Sequence, residues 1–247
     1  MIRLHVTADL STGAAVAPTL DQSRYLTQVM RMKAGDALLV FNGRHGEWRC
    51  TIAEMLKKGV VLRAEEQVRD QVTPPDVELL IAVIKKSAIE FAVEKVTELG
   101  VARIRPILTA RTQTQHLRLD RLDAIAVESA EQTGRTDVPR VEDPARLDTL
   151  LDEWDPTRRL MFCDETGGEP ALRALARFSP SPSGEGESSP WAILIGPEGG
   201  FSPEERDRLR ALPFAVPVSL GPRVLRADTA ATTALTLWQA ALGDWPR

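Results

Sequence analysis

Twice in its last third the chain runs an apolar stretch into Gly-Pro and then into a helical pattern. This repeated unit restricts the fold more than any other feature. The first copy is Trp191-Ala-Ile-Leu194-Ile195-Gly196-Pro197-Glu198-Gly199-Gly200-Phe-Ser202-Pro-Glu-Glu205. The second is Val216-Pro-Val-Ser-Leu220-Gly221-Pro-Arg-Val224-Leu225-Arg226-Ala-Asp228-Thr229. Ser202 followed by Pro203 and Glu205 is a helix start: a hydroxyl cap, a proline at the first helical position and a carboxylate that reaches back. In the second copy Asp228 is the expected cap of a helix over Thr229–Leu242. Strands that alternate with helices in this way imply an α/β fold with a parallel sheet. Ligands of such sheets bind at the carboxyl edge, where both glycine loops fall, and glycines there let backbone N–H groups approach a ligand.

The same rhythm begins after Val72-Thr73-Pro74-Pro75, whose two prolines read as a linker. Val77–Ile84 is expected as a buried strand. Ser87 and Glu90 are expected to cap the next helix, which turns Ile89, Val93, Val96 and Leu99 inward and ends at Gly100. Val101–Leu108 is the next expected strand. A helix over Leu119–Thr133 follows, with Leu122, Ile125, Ala126 and Ser129 on one face and Gly134 as its stop. A short strand at Leu160–Cys163 and a helix at Ala171–Phe178 complete the pattern. Ser179–Pro190 lacks large apolar residues and reads as a surface loop.

Residues 1–72 differ. Short alternating stretches, Ala37–Phe41 and Glu47–Ile52, flank the hairpin signal Asn42-Gly43, and Lys58-Gly59 marks a second turn. One helical patch, Asp21–Arg31, places Leu26, Val29 and Met30 on one face. A small β-barrel closes such strands economically. Two domains are therefore expected, 1–72 and 73–247.

Composition narrows the function classes. Hydrophobic residues make up 43%, enough for a sizeable core. Net charge is −4, which excludes a uniformly basic nucleic-acid binder. Residues 1–72, however, carry ten Lys and Arg against eight Asp and Glu, so a local positive patch can still steer a polyanion. Cys50 and Cys163 are far apart, and His5, His45 and His116 are scattered, so no metal site is expected. The start Met-Ile-Arg-Leu-His has no apolar leader, and no apolar run reaches the ~20 residues of a membrane span. A cytoplasmic protein with no membrane partner is expected.

Neither loop is GxGxxG or GxxxxGK[ST], so spacing alone leaves an unassigned nucleotide-like site. An enzyme using NAD would need a phosphate-cradling fingerprint with an acidic ribose partner, which the sequence lacks. A non-catalytic RNA-binding module remains open.

Further motifs stand in order along the chain: Val29-Met-Arg31 with Lys33-Ala-Gly-Asp36, Glu94-Lys-Val-Thr-Glu-Leu-Gly-Val101, and Glu131-Gln-Thr-Gly-Arg135. With Ile195–Ser202 and Leu220–Arg226 they resemble the bacterial small-subunit (16S) ribosomal RNA uracil N3-methyltransferases, the RsmE type of the SPOUT superfamily. The resemblance covers essentially the whole chain. The chain departs from the family pattern at Met30, Tyr25 and Leu122, where Leu, His and Trp are more usual. Asp228 replaces a more frequent Glu, and Ser179–Pro190 has the look of an insertion.

The resemblance implies a trefoil-knotted catalytic domain and a PUA- or OB-like N-terminal barrel. It also implies S-adenosylmethionine as cofactor, ribosomal RNA or the small ribosomal subunit as partner, and a homodimer. Residues matching the cofactor loops are Leu194, Ile195, Gly196, Pro197, Glu198, Gly199, Gly200, Leu220, Gly221, Val224, Leu225, Arg226 and Thr229. Arg226 is the expected stabiliser of a uracil anion, and Asp228 is the weaker candidate for a base. Arg3, Arg24, Arg31, Lys33 and Arg44 are expected to meet RNA phosphates.

Overall fold

The computed structural model describes residues 1–113, 117–179 and 189–245. His116 and residues 180–188 of the expected surface loop therefore lie outside the described residues. The chain divides into two compact units, Met1–Thr73 with Ala130–Val138, and Pro74–Ser129 with Pro139–Arg247. The first unit thus adds Ala130–Val138 to the segment before residue 73, and its first four residues are the last turn of a helix that begins in the second unit.

In the first unit, β1 (Arg3–His5), β2 (Ala15–Val16), β3 (Ala37–Phe41), β4 (Glu47–Leu56) and β5 (Gly59–Arg69) form one sheet in the order β1-β3-β4-β5-β2. β1 runs parallel to β3, and the remaining pairs are antiparallel. Gly43 has φ +76°, and the Asn42 side chain accepts from the N–H groups of Arg44 and His45, so the first hairpin closes through a longer loop than Asn-Gly alone would make. Leu38, Val40, Cys50, Ile52 and Leu62 build the core.

The helix expected over Asp21–Arg31 is shorter and changes type. α1 spans Leu20–Arg24, capped by Thr19 and Gln22, and a π-helical turn follows over Tyr25–Val29. Arg31 then adopts φ +55°, uncommon for a residue with a Cβ. The wide turn and the reversal let Met32 N–H donate to Leu26 O, and both side chains enter the core. Val29 and Met30, expected to face inward with Leu26, are exposed instead.

Glu131–Arg135 belongs to this unit through polar contacts. Arg3 donates to Glu47 at 2.6 Å, to the carbonyls of Ala130 and Glu131 at 2.8 Å each, and to that of Arg135 at 2.5 Å. Arg69 donates to Gly134 O at 3.0 Å, and the Glu131 carboxylate accepts from His5 N–H at 2.8 Å.

The second unit contains β6 (Val77–Ala82), α2 (Lys86–Glu98), β7 (Arg103–Leu108), the first part of α3 (Leu119–Thr133), β8 (Arg140–Val141), β9 (Ala145–Arg146) and α4 (Leu147–Asp152). It continues with β10 (Arg159–Cys163), β11 (Glu169–Pro170), α5 (Ala171–Ala176), β12 (Trp191–Ile195), α6 (Pro203–Ala211), β13 (Ala215–Ser219) and α7 (Ala227–Leu242). The strands run in the order β11-β13-β10-β12-β6-β7-β8, with β9 also on β7, and every pairing is parallel.

All residues of β6 and β12 are buried, as a doubly covered sheet demands. Alternate residues point to one face. Leu80, Ala82, Leu160, Phe162, Ala192 and Leu194 pack there with Leu147 and Leu151 of α4 and Leu209 of α6. Glu78 interrupts the apolar run of β6, and it is tolerated because Arg105 donates to it at 2.9 Å with Arg103 and Arg158 near by. The capping expected of Ser87 is absent: the cap residue of α2 is Lys85, with no side-chain hydrogen bond. Gly100 and Gly134 take φ +86° and +80°, and each ends its helix in the expected left-handed turn. No helix among the described residues is long and apolar enough to cross a membrane.

Candidate active site

The order β13-β10-β12 brings three strand ends together. A cavity of about 140 Å³ opens at their carboxyl edge, lined from β12 by Ile195–Glu198, Gly200 and Phe201, and from β13 by Val218–Leu225. A larger cleft, of about 580 Å³, is lined by Thr109, Arg146, Asp148 and Arg208 among others, and holds neither glycine loop.

The first loop is built by close approach. Gly200 N–H donates to Pro197 O at 2.9 Å, closing a turn. A Cβ at Gly196 would lie 2.7 Å from the Phe201 ring, inside van der Waals contact. Gly200 has φ +66°, and a Cβ there would collide with Glu165 Oε1. The φ of Gly200 favours glycine, and a side chain at Gly196 would have to displace the buried Phe201 ring. The loop leads into α6 by the expected capping box: Glu205 N–H donates to Ser202 Oγ at 3.2 Å, and Ser202 N–H donates to Glu205 Oε2 at 2.9 Å. Glu205 Oε1 also accepts from Ala110 N–H at 2.7 Å, and Arg111 donates to Gly199 O at 2.8 Å. The loop is thus braced from the end of β7. In the second loop, Gly221 N–H donates to Ser219 Oγ at 3.2 Å.

The structure brings together Ile195, Gly196, Pro197, Glu198, Gly200, Leu220, Gly221, Val224 and Leu225 of the expected residues. Leu194 points into the core instead, since strand alternation turns it away. Gly199, Arg226 and Thr229 are not in the lining, whereas Ala227 and Ala230 are. The cap residue of α7 is Arg226, not Asp228. Asp228 sits inside the first turn, where its Oδ1 accepts from Thr229 N–H at 2.6 Å and lies 3.2 Å from Thr229 Oγ1. The Arg226 side chain is exposed and forms no ion pair among the described residues.

Sequence reasoning missed the third strand end. Cys163, Asp164 and Glu165 line the cavity from β10. Burial pushes the Cys163 thiol up to about 12, so it is a neutral wall rather than a nucleophile. Burial opposes ionisation of Asp164, but donors from Thr166 and the Arg210 guanidinium outweigh it and hold the carboxyl below its ordinary value. Arg210 donates to Asp164 at 2.6 Å, and Arg206 lies 3.4 Å away. An acidic pair after a short strand was visible in the sequence, but its place between the two glycine loops depends on sheet order.

Of the cations expected to meet RNA, Arg3 is not available. Its side chain is 11% exposed and donates four hydrogen bonds, to Glu47 and three carbonyls. Arg24 pairs loosely with Asp21, and Arg44 with Asp9 at 2.8 Å, both at the surface. Arg31 and Lys33 are exposed without an ion-pair partner among the described residues. No cluster of three metal-ligating side chains occurs among the described residues.

Comparison with known proteins gives consistent likenesses. Residues 72–239 match an RNA methyltransferase domain, and residues 18–65 an RNA methyltransferase PUA domain. The ribosomal RNA small subunit methyltransferase E of Rickettsia conorii is 30% identical, over 94% of this chain and 93% of that one. The protein of the same name from Synechocystis is 33% identical, over 97% of this chain and 78% of that one. Among solved structures, a methyltransferase from Legionella pneumophila with the cofactor SAM bound superposes with a TM-score of 0.84 at 30% identity, covering 98% of both chains.

Proposed function

Because the chain belongs to the ribosomal RNA small subunit methyltransferase E family, we propose that it transfers a methyl group from S-adenosylmethionine to N3 of one uridine in small-subunit ribosomal RNA. The observation that carries this reading is the meeting of two glycine loops round one cavity at the carboxyl edge of a parallel sheet.

The residues present fit that cofactor. Ile195, Val218, Leu220 and Leu225 offer apolar walls for an adenine. Gly196 and Gly200 leave no space for a side chain, so backbone faces the ligand. Glu165, Glu198 and Arg223 supply charges of both signs for a molecule that carries both. The cofactor's sulfonium already activates its methyl group, so the protein's work is binding and orientation.

Uracil N3 bears a proton that must leave, and negative charge then spreads over the ring. Arg226 stabilises that charge; in support, it is exposed at the start of α7, next in sequence to Leu225 of the cavity wall. Asp228 is the weaker candidate for the base, since Thr229 already occupies its Oδ1. Arg24, Arg31, Lys33 and Arg44 of the first unit hold RNA phosphates. The active unit is a homodimer acting in the cytoplasm; Val224, 82% exposed in the cavity lining, is an apolar side chain that a second copy would cover.

The test is to incubate the protein with tritiated S-adenosylmethionine and unmodified small ribosomal subunits, then digest the RNA and identify the labelled nucleoside. Label in 3-methyluridine is expected. Label in a different nucleoside would overturn the target atom, and absence of label would favour a non-catalytic RNA-binding module.

A further inference from the structure

We propose that Glu165 reads the ribose of the bound cofactor, its carboxylate accepting hydrogen bonds from the 2′- and 3′-hydroxyls. The inference rests on the S-adenosylmethionine reading above.

β10 ends at Cys163, between β12 and β13, so the two residues that follow emerge between the glycine loops. Their side chains diverge. Asp164 turns inward, 1% exposed, and is taken up by Arg210, Arg206 and Thr166. Glu165 stays in the cavity wall, 42% exposed. Its nearest cation, Arg206, is 3.9 Å from Oε1, beyond hydrogen-bond reach. No donor among the described residues hydrogen-bonds the carboxylate. The structure therefore presents two acceptor oxygens at the cavity with a loose ion pair to Arg206 and no hydrogen-bond donor among the described residues.

Oε1 lies against the first glycine loop. Oε1 occupies the space where a Cβ of residue 200 would stand, and Cδ would be 2.8 Å from it. Gly200 thus serves two purposes: its φ of +66° shapes the turn, and its missing side chain admits the carboxylate against the loop backbone. The same loop carries Gly196, whose backbone is open to a ligand.

A vicinal diol offers two O–H donors at a spacing that a carboxylate accepts. In parallel sheets that bind nucleotides, an acidic side chain after the strand next to the glycine-loop strand commonly takes the ribose. β10 is that neighbouring strand here, and Glu165 is that side chain.

Calorimetric titration with S-adenosylhomocysteine, its 2′-deoxy counterpart and 5′-methylthioadenosine tests the assignment on wild type, Glu165→Gln and Glu165→Ala. A hydrogen bond to a charged acceptor corresponds to roughly a tenfold or larger change in affinity. Wild type should bind the deoxy ligand about tenfold more weakly than the ribose ligand. Glu165→Ala should bind the ribose ligand about tenfold more weakly than wild type does and should no longer distinguish it from the deoxy ligand, and Glu165→Gln, whose neutral amide oxygen still accepts, should discriminate less than wild type. Their thermal midpoints should stay near that of wild type. Undiminished discrimination in the variants would overturn the proposal. So would a loss confined to S-adenosylhomocysteine with 5′-methylthioadenosine unaffected, since the carboxylate would then read the amino-acid end. Failure of wild type to bind any of the three would instead remove the cofactor reading, and Glu165 with it.

Discussion

Arg226 and Arg3 show how differently two arginines can behave when both look available in a sequence. Arg226 makes no internal ion pair among the described residues. Its replacement by Ala should leave the dissociation constant for S-adenosylmethionine within about twofold and lower turnover by 10²–10³, the range seen when a donor to a developing anion is removed. Equal loss in calorimetry and in a methyl-transfer assay would assign it to cofactor binding instead. Arg3 is the reverse case. Truncation to Ala would leave Glu47, 3% exposed, with only the Arg69 guanidinium at 3.5 Å, and three carbonyls without their donor. A destabilisation of about 2–4 kcal/mol is expected in urea unfolding, because a buried charge loses the nearer of its two partners. Near-wild-type stability with weaker RNA binding would restore Arg3 to the RNA-facing group. The sequence could not separate these two residues, because residue type and local spacing carry no record of long-range partners such as Ala130.

At the scale of elements, the strongest local signals were legible. Ser202-Pro203-Glu204-Glu205 states a helix start through contacts within one turn, and the structure has it. Gly100 and Gly134 end their helices for an equally local reason. Ser87 and Asp228 misled because many residues can precede a helix and only geometry decides whether the side chain reaches back. The π-helical turn at Tyr25–Val29 was hidden for another reason: Leu26 and Met32 share a core only through the reversal at Arg31. Ser202→Ala should cost about 1 kcal/mol. Glu205→Ala should cost more, because its carboxylate also holds Ala110 N–H. Equal unfolding midpoints for the two variants would show that the brace to Ala110 contributes nothing. Asp164 adds a dependence on acid. Its folded carboxyl titrates below the ordinary value, so its stabilising contribution is complete above about pH 4 and disappears as pH falls through the lowered value. Urea midpoints followed from pH 6 to pH 2.5 should fall more steeply in wild type than in Asp164→Asn; parallel curves would rule this out.

For the molecule as a whole, the fold class followed from rhythm alone, since strand–helix alternation with buried strands admits few arrangements. Strand order did not follow, and with it went the third wall of the cavity, Cys163–Glu165. Net charge also misdescribes the surface. A chain of charge −4 still exposes Arg24, Arg31, Lys33 and Arg44 in its first unit. If these four meet phosphates, each should contribute about 0.7–0.9 to the slope of log K against log salt, and replacing Arg31 and Lys33 together should reduce the slope by about 1.5. A slope unchanged by that double replacement would place the RNA elsewhere.

The polar knot of Arg3, Glu47 and Arg69 closes on carbonyls that the chain does not reach until Ala130–Arg135. A ribosome translating this protein therefore releases the strands of the first unit well before the segment that completes them. At about 5–20 residues per second, Glu47 waits several seconds for its full surroundings. The part made first is finished late, so a nascent chain truncated after Thr73 would hold five strands around an acid still short of the carbonyls that anchor its arginine.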